Sequence, residues 1–173
     1  MGILMIIIHE NALSVKQQEL LTAARRAASE ETYNCYPESS ICPYPSHSVL
    51  KAGAAVRFAD GAIMRGENPS MPNHMCAERA VIAEVRDKRE KIESIAVYTL
   101  VGDIPFKFIG NDRDEQILSY GMPCGTCRQA LVELAQASGR KIDYVCAVNT
   151  TPFVVSGSVS DLLQMPYLPP KLK

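Results

Sequence analysis

The segment "PCGTCRQALVELAQASG", residues 123–139, decides how the rest of the chain is read. It sets Cys124 and Cys127 in a C-x-x-C and then runs into a helical pattern. Pro123 suits a first helical turn, where its missing N–H costs nothing, and Gly139 suits the stop. Thiols at a helix start meet the positive end of its dipole, which favours thiolates. In a chain without secretory features, such a pair indicates metal or redox chemistry.

Working outward, "KIDYVCAVNT" (141–150) and "PFVVSG" (152–157) read as strands four and five. Only a few residues join them. A parallel crossover needs a dozen or more, so these two strands are expected to be antiparallel. "SVSDLLQMPYLPPKLK" (158–173) supplies a short helix and a proline-rich tail. Upstream, 102–122 reads as a long loop and "IESIAVYTL" (92–100) as the third strand, rich in β-branched residues. "CAERAVIAEVRDKREK" (76–91) reads as one helix, with Ala80, Val81 and Val85 on one side and a charged end. "AGAAVRF" and "AIMRGEN" form two strands around a tight Asp60-Gly61 turn. Residues 34–51 hold three prolines and two cysteines and read as a second long loop. "SVKQQELLTAARRAASEE" (14–31) opens with Ser14 and Gln17, a capping-box pair, and continues as an amphipathic helix. This order predicts one mixed sheet with helices on its faces, within a single domain over 1–173.

The 173 residues suffice for one full hydrophobic core, and 47% of them are hydrophobic. With 18 basic and 19 acidic side chains, the net charge is −1. No electrostatic footprint for nucleic acid or an anionic membrane is present. "MGILMIIIHE" is too short to span a bilayer and lacks a basic n-region, so a buried terminal strand or helix lead-in and a cytoplasmic protein are expected.

A second cysteine motif lies 48 residues before Cys124, in "NHMCAER" (73–79). Cys76 stands at the start of its own helix, so Cys76, Cys124 and Cys127 can converge from two helix starts. Three thiolates make a catalytic zinc site with one open position, whereas a structural zinc closes with a fourth ligand. Glu78, two residues past Cys76, does not share the direction of the ligand and can face the open position as a proton carrier. The alternatives are a redox C-x-x-C beside an unrelated thiol, and a structural zinc closed by His74. Zinc with three thiolates is a poor Lewis acid, and a guanidinium such as that of Arg79 would offset the charge. Cys146 reads as a core residue, Cys35 and Cys42 as free loop thiols, and His9 and His47 as structural. Asp112, Asp114 and Glu115 read as a solvated face.

"CAER" and "PCGTCRQ" follow the zinc-deaminase order C-x-E, then P-C-x-x-C. Together they resemble the cytidine deaminase family, in particular its small three-cysteine members, which include blasticidin S deaminase. "KAGAAVRFADGAIMRGEN" is similar to that family's opening hairpin and "DLLQMPY" to its C-terminal ending, so the resemblance spans residues 45–170. It implies a three-layer α/β/α fold with a five-stranded mixed sheet, a homotetramer, one zinc ion per subunit and hydrolytic deamination of a cytosine-like ring. It further implies Cys76, Cys124 and Cys127 as ligands, Glu78 as proton carrier, and Arg79 and Gln129 as supporting side chains. Asn68, Ser70, Leu50 and Ala77 fall at its substrate-contacting positions. The family's Gly-x-Asn-x-Glu run is here Gly66-Glu67-Asn68-Pro69-Ser70, which keeps the Asn and loses the ribose-gripping carboxylate. The aromatic expected before the hairpin is Leu50 or Val49. These departures leave open a modified-cytosine compound or another aminated heterocycle as substrate.

Overall fold

The structure is a computed structural model that describes residues 6–30, 50–67, 76–101, 118 and 121–164. Its centre is one sheet of six strands: β1 (Ile6–His9), β2 (Leu50–Phe58), β3 (Ile63–Glu67), β4 (Ile92–Val101), β5 (Asp143–Val148) and β6 (Phe153–Ser158). They lie in the order β1-β6-β5-β4-β2-β3. The β4–β5 pair is parallel, and the other four pairings are antiparallel.

The expected five-stranded sheet, with its fourth and fifth strands antiparallel, is corrected in count and numbering. The apolar N-terminal run forms an additional strand, β1, so the fourth and fifth strands in chain order are β4 and β5, which are parallel. The two strands joined by a short connection are β5 and β6, and they are antiparallel. The N-terminal run is also not buried. As an edge strand it leaves Ile6 49% and Ile7 46% exposed.

Among the described residues, three helices complete the layers: α1 (Val15–Glu30), α2 (Ala77–Glu84) and α3 (Gly125–Ser138). α1 lies on one face of the sheet, where Leu20, Leu21, Ala24 and Ala28 pack on Ala55, Ala96, Val145 and Ala147. α2 and α3 cover the other face through Val81, Val85, Leu131 and Leu134, against Val56, Val97 and Tyr144. Strand residues alternate between these two cores because successive side chains point to opposite faces. Gly53 lets α1 approach β2, since a Cβ there would lie 2.3 Å from both the Ala24 carbonyl oxygen and the Ala28 nitrogen.

Local signals set several boundaries. Ser14 and Gln17 form the capping box, with the Ser14 N–H donating to Gln17 Oε1 at 3.0 Å. Asp60 Oδ1 accepts from the Ala62 N–H at 2.9 Å, and Gly61 takes φ 87° in the β2–β3 turn. Gly139, at φ 65°, ends α3.

Other boundaries differ from expectation. The helix expected over 76–91 stops at Glu84, and Arg86–Lys91 is a 3-10 segment interrupted at Lys88. That run is charged throughout and has no apolar stripe to hold it against the core. The stripe of α2 is Ala77, Val81 and Val85, while Ala80 is only partly buried. The loop expected at 34–51 ends earlier, because Leu50 already pairs with Val101 in β2. The loop expected at 102–122 contains helical residues at Leu118 and Gly121, and Leu118 enters the core. The short C-terminal helix is a 3-10 turn, Val159–Gln164. Among the described residues, no helix is long and apolar enough to cross a membrane.

Candidate metal centre

β3 leads to α2, and the residues after β4 lead to α3. Both helices therefore begin at the same end of the sheet. Cys76 is the N-cap of α2 and Cys124 the N-cap of α3, and neither helix start has a side-chain cap bond. The first-turn N–H groups, which have no intrahelical partner, and the helix dipoles make both helix starts suited to negative charge. Cys127 lies in the first turn of α3.

The three sulfurs lie within 4.8 Å of one another. Cys76 Sγ is 3.8 Å from Cys124 Sγ, which is 3.4 Å from Cys127 Sγ. A tetrahedral zinc with bonds of about 2.3 Å separates neighbouring thiolate sulfurs by about 3.8 Å. The two separations are close to that spacing. Cys127 is buried, whereas Cys76 and Cys124 are partly open, so the trio has an accessible side. Hydrogen bonding from the Cys127 thiol, aided by Cys124 and the charge of Arg79, lowers the Cys76 pKa to about 6 against the effect of burial. The donating Cys127 is pushed up, first by that bond and then by burial. A cluster that already stabilises a thiolate is chemically suited to a soft divalent cation.

Glu78 is only 5% exposed. Desolvation raises its carboxyl to about 7, with a further push from the Cys76 charge; the Cys127 thiol and Arg79 pull the other way. Arg79 is half-buried, and its charge acts on both Cys76 and Glu78. The arrangement thus brings together three sulfurs, a carboxyl able to hold or release a proton near neutrality, and a guanidinium.

The remaining site residues fare differently. Ala77 is fully buried in the core beside Val81. Leu50 opens β2, at the register position of Val101. Gln129 is not brought to the thiols: it is exposed and donates to Glu133 Oε1 at 2.8 Å. Its neighbour Arg128, which sequence reasoning passed over, is 4% exposed and donates from Nε to the Pro123 carbonyl at 2.8 Å. The signal was present, because Arg128 shares a helix face with Leu131 and Val132, three and four residues on. Cys146 is a core residue, as expected, and His9 is structural, its Nδ1 accepting from the Asn11 N–H at 3.2 Å. Asn68, Ser70, His74, Cys35, Cys42, His47, Asp112, Asp114 and Glu115 lie outside the described residues.

A three-layer α/β/α sandwich with three thiols converging at two helix starts is the class this geometry defines. Among solved structures, the chain is similar to a cytidine deaminase from Burkholderia pseudomallei, with a TM-score of 0.56 and 22% identity over 87% of this chain and 96% of that one. It is similar also to a cytidine deaminase from Mycobacterium tuberculosis, with a TM-score of 0.50 and 22% identity over 87% of this chain and 95% of that one. The chain therefore has the cytidine deaminase fold. No protein-family model matches it, and no curated protein matches it.

Proposed function

We propose that the chain is a zinc-dependent hydrolytic deaminase that converts a cytidine-like aminopyrimidine nucleoside to the uridine-like product with release of ammonia. The observation that carries this reading is the convergence of Cys76, Cys124 and Cys127 within 4.8 Å, with buried Glu78 two residues beyond the first of them. A redox pair or a purely structural metal does not account for a buried carboxyl with a pKa near 7 at that place.

Cys76, Cys124 and Cys127 would hold the ion. When bound, zinc supplies Lewis acidity that brings the pKa of a water molecule close to neutrality. Glu78 takes a proton on its carboxylate and delivers it to the ring nitrogen of the substrate, then assists departure of the amino group. The water oxygen becomes the carbonyl of the product, and the amino group leaves as ammonia. Arg79 offsets the charge of the thiolates. Ala77, wholly buried in the structure, is proposed to flank the substrate. Leu50, Asn68 and Ser70 are proposed to line the substrate pocket, with Gln129 in a peripheral supporting role. We further propose one domain over 1–173, a homotetramer and a cytoplasmic location.

A second reading is a blasticidin S-type or other modified-cytosine deaminase. It is favoured by Ser70 standing where a ribose-gripping carboxylate is expected. Ammonia release from cytidine, deoxycytidine, cytosine, blasticidin-like compounds and aminopurines separates the two. Turnover of cytidine supports the first reading, and turnover confined to a modified cytosine supports the second. A zinc-loaded protein inert towards the whole panel contradicts both.

A further inference from the structure

The chain passes over β5 on its way into the C-x-x-C turn. Gly121, Met122 and Pro123 are all buried there. The carbonyls on either side of Met122 are both held by side chains: that of Gly121 accepts from Cys146 Sγ at 2.8 Å, and that of Pro123 accepts from Arg128 Nε at 2.8 Å. Cys146 stands in the middle of β5, fully buried, on the same core as Tyr144 and Val148. Burial pushes its thiol up to about 12, which keeps the donor hydrogen in place.

The fit at this point is close. A Cβ on Gly121 would lie 2.6 Å from Val148 Cγ1 and 3.1 Å from Cys146 Sγ. The backbone at 121 is thus pressed on β5 as only glycine allows. Cys127 is carried by the hydrogen-bonded first turn of α3, but Cys124 is the N-cap, half outside that ladder. Of the two thiols that α3 carries, Cys124 therefore depends more on what holds the residues before it.

We propose that Cys146 and Arg128 are positioning residues for the thiol trio: by pinning the carbonyls of Gly121 and Pro123, they set the Cys124 sulfur at the spacing a metal ion requires. The proposal rests on the reading of the trio as a metal site. Cys146 is then more than core filling, and Arg128 more than a buried cation on α3. Outer groups that orient metal ligands act in this way, and their loss weakens binding about 10–100-fold.

The test uses the full chain and Co²⁺, whose thiolate charge-transfer absorption reports the sulfur geometry, together with Zn²⁺ competition against a chromophoric chelator. Cys146→Ala should weaken both metals about tenfold or more and alter the Co²⁺ spectrum, whereas Cys146→Ser, which keeps a donor, should restore most of the affinity. Arg128→Met should reproduce the alanine result. Thermal unfolding of each metal-free variant shows whether it folds; the Cys146 pair decides the matter where Arg128→Met does not. Lowered Tm in Cys146→Ala with unchanged affinity and spectrum would mean a merely structural role and would overturn the proposal. Wild-type protein that binds neither metal would overturn the metal-site reading itself, a distinguishable failure.

Discussion

The sulfur of Cys76 lies 3.8 Å from that of Cys124, although 48 residues separate them. Two helix starts and the parallel β4–β5 pairing bring them together. A cation held by all three sulfurs would tie these two helix starts together. Removing metal with a chelator should therefore lower Tm, because an ion bound only to the folded state stabilises it by mass action. Cys76→Ala and Cys124→Ala should each abolish retention of zinc through dialysis, measured as metal per chain. Full retention in both variants would place the metal elsewhere.

Arg79 acts on both Cys76 and Glu78 through its charge. Arg79→Ala should keep part of the zinc and lose at least about tenfold in kcat, consistent with removal of an outer-shell partner. Unchanged turnover at saturating substrate would remove Arg79 from the account.

Gly53 sits against the backbone of α1, where an added Cβ would lie 2.3 Å from two main-chain atoms. Neither atom is the far end of a flexible side chain. Gly53→Ala should cost about 3 kcal/mol in urea unfolding, the upper range for overpacking. A change below about 0.5 kcal/mol, the size of an ordinary surface substitution, would mean that α1 does not dock there.

Much of the fold can be read from short stretches. Ser14 with Gln17, Asp60 with Gly61, and Gly139 each act on their own neighbours, so their signals are local. The edge position of β1 is different. Ile6, Ile7 and Ile8 read as a buried run, and only pairing with β6, almost the whole chain away, places them at the rim. The early end of α2 depends on tertiary support as well, because the charged run after Val85 offers no apolar stripe to hold a helix against the core. At the site, the thiols and Glu78 are visible because spacing encodes their chemistry. The helix face of Arg128 signals its burial, but its role is not legible, because it depends on a carbonyl five residues earlier in the folded turn.

Cys146 gives a pH signature. Its folded pKa, about 12, lies above the ordinary thiol value of 9.0, chiefly through burial. The neutral form is therefore favoured by folding, and this contribution is complete below pH 9 and lost as pH rises towards 12. Stability from denaturant unfolding should fall across that window, and Cys146→Ala should flatten part of the fall. An identical slope in the variant would contradict the assignment.

The central claim is that three thiols hold a metal while Glu78 moves the proton. The most direct measurement is Glu78→Gln assayed for both bound zinc and ammonia release, beside wild type, on the substrate that wild type turns over. The account predicts a folded variant with one zinc per chain and ammonia release lowered by at least about 100-fold, the scale of general acid–base catalysis. Wild-type-like ammonia release from the zinc-loaded variant would contradict it.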